Sequence, residues 1–381
     1  MGNYSAYFLR TNLTLLKLLL TSLGLVAATG LGGCSTLSRD PGFPKEGSFS
    51  IMAYNVENLF DTINDEGVDD ITYLPLEQKQ TPEHQEACAK ITVPHFRREC
   101  LELDWSEEVL DLKMRRLADV VLQIDGGRGP DLLLMSEVEN RRVLEQWNER
   151  YLQQAGYKTI VWIPGPDRRG IDVAMMSRWP QVGEAKLHRI PFSAQSERDQ
   201  ERLPFLRGIL EATFELPDGT LLTAFAVHLP NPRNPRHWRE EAIEFIIELA
   251  RGVPEDHIYV FGGDFNISGE EESRHGLYSR QLQPHFLVSH LVGCKRCRGS
   301  NYFPRKKQWS FLDALLFDPK LSASGSSPWV LDKRSIRIPT GSRYQVSRFG
   351  TPARFDENSP FGVSDHWPIK ARIHQRKKTS Q

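Results

Sequence analysis

The stretch "YVFGGDFNISG", Tyr259 to Gly269, is the most informative segment of the sequence. It starts as a hydrophobic run of buried-strand type, stops at two glycines and then presents Asp264 and Asn266 one residue apart. Alternate residues of an extended chain point to the same side, so these two side chains are expected to face the same region. Polar groups left unpaired at the end of a buried strand are costly. The segment therefore indicates either a simple turn or a functional site.

Polar residues adjoin several other strand-like runs in the same way. If these strand ends gather at one edge of the molecule, their side chains line a cleft with carboxylate, amide and imidazole groups. Oxygen ligands without a thiolate suit a hard cation such as Mg²⁺ or Mn²⁺. The residues concerned are Asn55, Glu57, Glu137, His228, Asn231, Asp313, Asp365 and His366.

The remaining pattern alternates between helical and extended segments. Apolar residues recur at helical spacing in "EEVLDLKMRRLADVVLQI" and "PRHWREEAIEFIIELARG", and Asn140 is placed to cap a third helix. "PDG" at Pro217 to Gly219 predicts a hairpin turn. Hairpins mixed with strand–helix units predict mixed rather than all-parallel sheets. Residues 62–104 are polar and acidic and are predicted to be an insertion, and residues 321–360 are predicted to be irregular.

Seven segments are distributed over nearly the whole chain after residue 48. They are "YNVENLFD", "MSEVEN", "RGIDVAMMSR", "VHLPNP", "GGDFN", "SFLDALL" and "VSDHWPI". Together they resemble the endonuclease/exonuclease/phosphatase superfamily, the deoxyribonuclease-I-like metal-dependent phosphoesterases. The resemblance implies an α+β fold, a four-layer α/β/β/α sandwich in which two mixed β-sheets pack face to face with helices outside. It also implies hydrolysis of a phosphoester by in-line attack of water, with Mg²⁺ or Mn²⁺ as cofactor.

The resemblance implies a role for each matching residue. Asp264 would activate or orient the attacking water, and Asn266 would hydrogen-bond the phosphate or that water. His366 would meet the phosphoryl oxygen while Asp313 holds its other ring nitrogen. Glu137 would be the principal metal ligand. The supporting residues would be Asn55, Glu57 and Asp365 on the metal side, and His228 and Asn231 at the phosphate or the leaving group.

Arg169 and Asp172 lie in the segment "RRGIDVAMM" and have two interpretations. They are candidates for the substrate pocket, with Arg169 binding phosphate. The other interpretation is a structural ion pair, which is the commoner arrangement for neighbouring opposite charges.

The N-terminus has the pattern of an export signal. Arg10 and Lys17 precede the apolar run "LLLTSLGLVAATGLGGC", and small residues lead directly into Cys34. The boundary "LGGC" resembles a bacterial lipobox, which implies a lipidated Cys34 and a membrane-anchored lipoprotein of the bacterial cell envelope. A plain secretory signal and a short apolar anchor are the alternatives. The predicted organisation is a signal peptide at 1–33, a tether at 34–48, the enzyme domain at 49–375 and a basic tail at 376–381.

Four further cysteines form an even set, which in an exported protein suggests disulfides. Nearest-neighbour pairing predicts Cys88–Cys100 and Cys294–Cys297. The alternative is a zinc site at Cys294 and Cys297 with two nearby histidines, His285 and His290.

The net charge of −1, from 48 basic and 49 acidic residues, weighs against a protein that grips long nucleic acid, which usually has a basic excess. An exported nuclease remains the first hypothesis. A phosphatase or sphingomyelinase-like phosphodiesterase on small or lipid substrates is the alternative. A catalytically inactive binding module is a third, although such a module has no need of Asp264, Asp313 and His366 together. The sequence implies no protein partner.

Overall fold

The computed structural model describes residues 47–376. The predicted signal peptide, Cys34, nearly all of the tether and residues 377–381 of the predicted basic tail lie outside the described residues. Within 47–376, no helix is both long enough and apolar enough to cross a membrane.

The described residues form fourteen strands. In chain order they are β1 (Ser48–Leu59), β2 (Leu132–Val138), β3 (Thr159–Trp162), β4 (Asp172–Ser177), β5 (Gln181–His188), β6 (Ile209–Glu215), β7 (Leu221–His228), β8 (Ile258–Asp264), β9 (Leu287–Val288), β10 (Asn301–Phe303), β11 (Gln308–Ser310), β12 (Asp313–Phe317), β13 (Trp329–Arg337) and β14 (Ile369–Gln375).

Eight α-helices accompany these strands in the same part of the chain. They are α1 (Pro82–Ala89), α2 (Pro94–Glu102), α3 (Glu107–Val121), α4 (Arg141–Tyr151), α5 (Glu197–Arg202), α6 (Arg236–Gly252), α7 (Gly269–His275) and α8 (Ser289–Val292). Asn140 caps α4 as predicted, because its side-chain oxygen accepts a hydrogen bond from Val143 N at 2.9 Å.

Two six-stranded sheets form the centre of the molecule. The first has the order β13-β14-β1-β2-β4-β3, and the second has the order β5-β6-β7-β8-β12-β9. In the first sheet β1 and β2 are parallel, in the second β7 and β8 are parallel, and the other neighbours in both are antiparallel. The prediction of mixed sheets is therefore confirmed.

The hydrophobic residues divide into three layers of core, which makes the fold a four-layer sandwich. Side chains such as Ile51, Leu134 and Val260 fill the space between the two sheets. The outer face of the first sheet packs on α3 and α4, and the outer face of the second packs on α6. The predicted α/β/β/α architecture is confirmed.

Each parallel pair is joined by a helical crossover: α3 lies between β1 and β2, and α6 lies between β7 and β8. A parallel connection returns the chain to the same end of the sheet, so both strands of a pair finish at the same edge. Asn55 and Glu137 therefore lie near one another in the first sheet, and His228 and Asp264 do so in the second.

The segment 321–360, predicted to be irregular, contains an edge strand, so that prediction is wrong in part. β13 pairs with β14, and it buries Trp329, Leu331 and Ile336 on one side while charged residues cover the other. Because charged residues lie between the apolar ones, the alternation typical of a strand was not recognised in the sequence.

The predicted cysteine pairing is confirmed at both positions. Cys88–Cys100 joins α1 to α2 within the 62–104 insertion, and Cys294–Cys297 closes a short loop. The disulfide consumes the thiolates that a zinc site would need, and His290 stacks on Phe311 with ring centroids 4.3 Å apart. The zinc alternative is therefore not supported.

Candidate active site

The polar strand ends meet at one edge of the two sheets because of strand register. His228 at the end of β7 lies beside Asp264 at the end of β8, and Asp313 at the start of β12 lies on the other side of Asp264. In the facing sheet, Asn55 of β1 lies beside Ser136, the residue before Glu137.

Irregular backbone re-aims the side chains of the first sheet towards this edge. Register shifts occur between Asn55 and Leu59 in β1 and between Ser136 and Val138 in β2. Glu57 and Glu137 have positive φ angles of 52° and 67°, which side-chain-bearing residues adopt rarely. Bulges of this kind are common beside active sites, where they turn a side chain out of the alternating pattern.

The two glycines before Asp264 let the strand pass through a crowded position. A Cβ on Gly262 would lie 2.5 Å from Leu134 Cδ1, and one on Gly263 would lie 2.0 Å from the Val227 carbonyl oxygen. Gly263 also has a φ of 143°, which favours glycine. The motif "GGDFN" therefore combines close packing of the sheets with presentation of Asp264.

Asp264 is the centre of the hydrogen-bond network. Its carboxylate accepts bonds from Asn266 N at 2.8 Å, from Asn266 Nδ2 at 3.1 Å and from Asn55 Nδ2 at 3.1 Å. The same Asn55 amide donates to Glu137 Oε1 at 3.0 Å, so it bridges the two carboxylates across the sheets. Burial raises the pKa of Asp264 to about 7.

His366 and Asp313 form a buried pair. His366 Nδ1 donates to Asp313 Oδ2 at 2.6 Å, while Nε2 lies 3.9 Å from Asp264 Oδ2 on the cleft side. Burial by itself lowers the pKa of His366, but the carboxylates of Asp313 and Asp264 raise it well above its ordinary value. His366 is therefore a cation at neutral pH.

His228 has the opposite protonation preference. Its Nε2 lies 3.6 Å from Asp264 Oδ2 and 3.8 Å from Glu137 Oε1. Burial lowers its pKa well below the ordinary value, and the cations Arg207, His366 and Arg169 lower it further. The cleft thus holds one charged imidazole, His366, and one neutral imidazole, His228. The first can act as an acid, and the second can act as a neutral hydrogen-bond donor or acceptor.

Glu57 holds the segment that carries Asp365 and His366. Its Oε2 accepts from Phe355 N at 2.9 Å and from Asp365 N at 3.1 Å, and its Oε1 pairs with the Arg354 guanidinium. These bonds satisfy much of the Glu57 carboxylate. Glu57 thus contributes to the position of Asp365, alongside the metal-side role that the resemblance implies.

Three predicted substrate-side residues lie apart from this network. Arg169 pairs with Asp167 at 2.9 Å, and its side chain is 60% exposed. Asp172 instead accepts from Gly165 N at 2.9 Å, so the structure does not show the alternative, an Arg169–Asp172 ion pair. Asn231 is exposed, and its amide oxygen accepts from its loop neighbour Arg233 N at 3.0 Å.

Sequence reasoning missed Arg207. Its guanidinium bonds Asp167 at 2.7 Å and the His228 carbonyl oxygen at 3.3 Å, which ties the loop after β3 to the end of β7. The only signal was an arginine before the strand run "GILEATF", which is too common to single out.

The pKa of buried Asp172 yields a prediction about stability. Burial raises this pKa to about 7, so the folded state holds a proton that the unfolded state releases at lower pH. The contribution of Asp172 to stability therefore falls as pH rises from about 4 to about 7. From about pH 5 to about pH 8, the stability of Asp172→Asn relative to the parent protein should rise by roughly 2 to 3 kcal/mol. Urea denaturation of both proteins at the two pH values measures this difference, and parallel pH profiles would contradict it.

The side chains in the cleft suit a divalent cation. The carboxylates of Glu137, Asp264 and Asp365 converge there, together with the Asn55 amide. Asp313 Oδ1 is buried and has no hydrogen-bond partner among the residues that the structure describes. The donors are hard oxygen atoms, and the carboxylates outnumber the cations in contact with them, which favours Mg²⁺ or Mn²⁺ over a thiophilic metal.

Comparison with known proteins agrees with the fold. The sequence model of the Endonuclease/Exonuclease/phosphatase family matches residues 95–200, which include Glu137 and Arg169. No curated protein sequence matches the chain.

Several solved structures share the fold. TDP2 of D. rerio, complexed with a single-strand DNA product, has a TM-score of 0.50 and 17% identity over 87% of this chain and 100% of its own. Truncated TDP2 of Caenorhabditis elegans has a TM-score of 0.51 and 16% identity over 86% and 97%. An endonuclease/exonuclease/phosphatase family protein of Bacteroides thetaiotaomicron has a TM-score of 0.50 and 13% identity over 87% and 98%.

The protein has the fold of the endonuclease/exonuclease/phosphatase superfamily. The family resemblance recognised from the sequence motifs is thereby confirmed, and the lipoprotein assignment stays a prediction.

Proposed function

We propose that the protein is a divalent-metal-dependent phosphodiesterase that cleaves nucleic acid by in-line attack of water. The observation that carries the proposal is the buried His366–Asp313 pair, in which Nδ1 and Oδ2 lie 2.6 Å apart. This pair faces the Asp264 carboxylate across the cleft. A charged imidazole opposite a buried carboxylate matches what phosphoryl transfer needs, which is charge stabilisation and a positioned water. The single-strand DNA product in the D. rerio relative supports nucleic acid as the substrate class.

Each side chain in the cleft has a separate role in the proposed reaction. Asp264, held by Asn55 and Asn266, orients the water and accepts its proton. His366 donates a hydrogen bond and positive charge to a phosphoryl oxygen, and Asp313 keeps that imidazole protonated. His228, neutral and buried, hydrogen-bonds the phosphate or the departing group.

Asn266 has a positioning role beside its predicted hydrogen bond to the phosphate or the attacking water. Its Nδ2 donates to the Leu229 carbonyl oxygen at 2.9 Å and to Asp264 at 3.1 Å, so its amide positions the carboxylate. A divalent cation held by Glu137 with Asn55 and Asp365 would neutralise phosphate oxygens and stabilise the leaving alkoxide.

The substrate class can be tested directly. Purified protein with Mg²⁺ is incubated with plasmid DNA, RNA, sphingomyelin and a phosphomonoester, and His366→Ala protein from an identical purification serves as the control for contaminating nucleases. Cleavage of DNA or RNA by the parent protein alone supports the proposal. Turnover of sphingomyelin or the monoester alone would instead identify the alternative substrate class, which the near-zero net charge favours.

We also propose that the protein is exported and anchored to a membrane through lipidated Cys34. Cys34→Ala should release the protein from the membrane fraction without loss of activity, because Cys34 lies outside the predicted enzyme domain at 49–375. Fractionation of cells that express each form, followed by activity assays, tests this. Unchanged membrane attachment of Cys34→Ala would indicate an uncleaved apolar anchor instead.

A further inference from the structure

A second acidic cluster lies outside the cleft, where the loop after β1 meets the end of β2. Asp65 and Asp70 come from the loop, and Glu139 follows β2. One carboxylate oxygen from each of the three lies within 4.8 Å of the others. Asp70 and Glu139 are almost completely buried, at 2% and 3% exposure.

Some of the negative charge in this cluster already has partners. The Arg142 guanidinium bonds Asp61 at 2.6 Å and Asp65 at 2.8 Å. Asn140 Nδ2 donates to Asp61 and Asp65 at 3.1 Å and 3.0 Å. These donors serve the outer part of the cluster.

The inner part of the cluster is only partly satisfied, since Glu139 Oε2 accepts from Asp61 N at 2.7 Å. Asp70 Oδ2 accepts from Asp65 N at 2.8 Å, but Asp70 Oδ1 is buried without any hydrogen-bond partner in the part of the chain that the structure describes. Its carboxyl group lies within hydrogen-bonding reach of the Glu139 carboxyl, which also offers only acceptors when ionised. Two buried carboxylates facing one another require either a shared proton or a cation.

We propose that Asp65, Asp70 and Glu139 bind a hard divalent cation of the calcium type at a site separate from the catalytic cleft. Four carboxylates, Asp61 included, face one guanidinium, and a divalent ion offsets most of the remaining charge. The donors are carboxylate oxygens on an irregular loop, and Ca²⁺ tolerates such variable geometry better than Mg²⁺, which demands a near-ideal octahedron.

This cation would tie together segments that adjoin the catalytic residues. Glu139 lies two residues after Glu137, and Asp69 N on the same loop donates to the Arg168 carbonyl oxygen at 2.6 Å. Arg168 precedes Arg169, whose charge acts on His228. Occupation of the site therefore holds the loop after β1, the end of β2 and the arginine segment in one arrangement.

Thermal unfolding of chelator-treated full chain tests the proposal without any activity assay. The experiment uses the Glu137→Gln background, in which the catalytic metal site is impaired. Ca²⁺ at about 100 times its dissociation constant should raise the midpoint temperature by roughly 5 °C, with a smaller rise for Mg²⁺. Titration calorimetry should show one calcium ion per molecule.

Two variants distinguish this site from general screening by salt. Asp70→Asn should abolish the calcium-induced rise while leaving the metal-free protein as stable as before or more stable, because its amide can donate to Glu139. Asp69→Asn changes the same charge on the same loop at an exposed position and should retain the full rise. Asp65→Asn, which is less buried, provides a second loss variant.

No rise with Ca²⁺, or equal rises in Asp70→Asn and Asp69→Asn, would overturn the proposal and favour a proton shared between Asp70 and Glu139. Failure here leaves the proposed phosphodiesterase activity untouched, since that rests on other residues.

Discussion

Asp264→Asn and His366→Ala should each lower turnover about 100-fold or more, the usual scale for a lost general base or charge-stabilising group. Asp264→Asn keeps the size of the side chain but removes the charge that orients the water and accepts its proton. His366→Ala removes the cation opposite the phosphate. Steady-state rates on the substrate identified by the panel, measured with saturating Mg²⁺, give both effects.

Matched variants show whether the loss is chemical. Asp318→Asn removes another buried carboxylate at the far end of β12, and His374→Ala removes an exposed imidazole from β14. Both should retain the parent rate. We expect little loss of stability in the active-site variants, because removing a charge from clustered carboxylates relieves repulsion and offsets the weakened bonds from Asn55 and Asn266. Near-parental turnover of folded Asp264→Asn would remove that residue from the mechanism.

A double variant tests whether Asp313 acts through His366. Asp313→Asn should be nearly as damaging as His366→Ala, because an amide no longer favours the imidazolium. The double variant should then be no worse than His366→Ala alone, as expected for two residues that act as one unit. Multiplicative losses in the double variant would show that Asp313 does not act through His366.

Removal of divalent metal should lower activity by a factor on the order of 1,000 or more, since a metal ion supplies several kcal/mol of charge stabilisation in such reactions. Mg²⁺ or Mn²⁺ added back should restore the rate, because the cleft donors are oxygen atoms. Dialysis against chelator, followed by metal titration under assay conditions, measures the effect.

Circular dichroism of the chelated protein separates catalysis from folding. The secondary structure should survive chelation, since the cores between and outside the sheets are closed by apolar side chains. Ca²⁺ alone should restore stability through the Asp65–Asp70–Glu139 site without restoring full activity. Full activity after exhaustive metal removal would be incompatible with the proposed mechanism.

Much of this protein could be predicted without coordinates. The helices around Leu117 and Trp238, the hairpin at Pro217 to Gly219 and the strand ending at Asp264 follow from local periodicity and turn chemistry, which act over a few residues. The motifs around Glu137, Asp264 and His366 carried the family resemblance. The edge strand β13 was missed because its charged exposed face hides the apolar alternation.

The tertiary structure decided what depends on contacts between distant segments. The protonation difference between His366 and His228 arises from which charges burial places beside each ring, and periodicity carries no such information. Glu57 pairs with Arg354, which lies almost three hundred residues away in the chain. Arg207 donates to the His228 carbonyl oxygen at the end of β7. The sequence by itself determined most of the strands, their polar ends and the family resemblance. Which carboxylates face a cation, a donor or one another was decided only by packing, because the energy of a buried charge depends on all the groups that surround it.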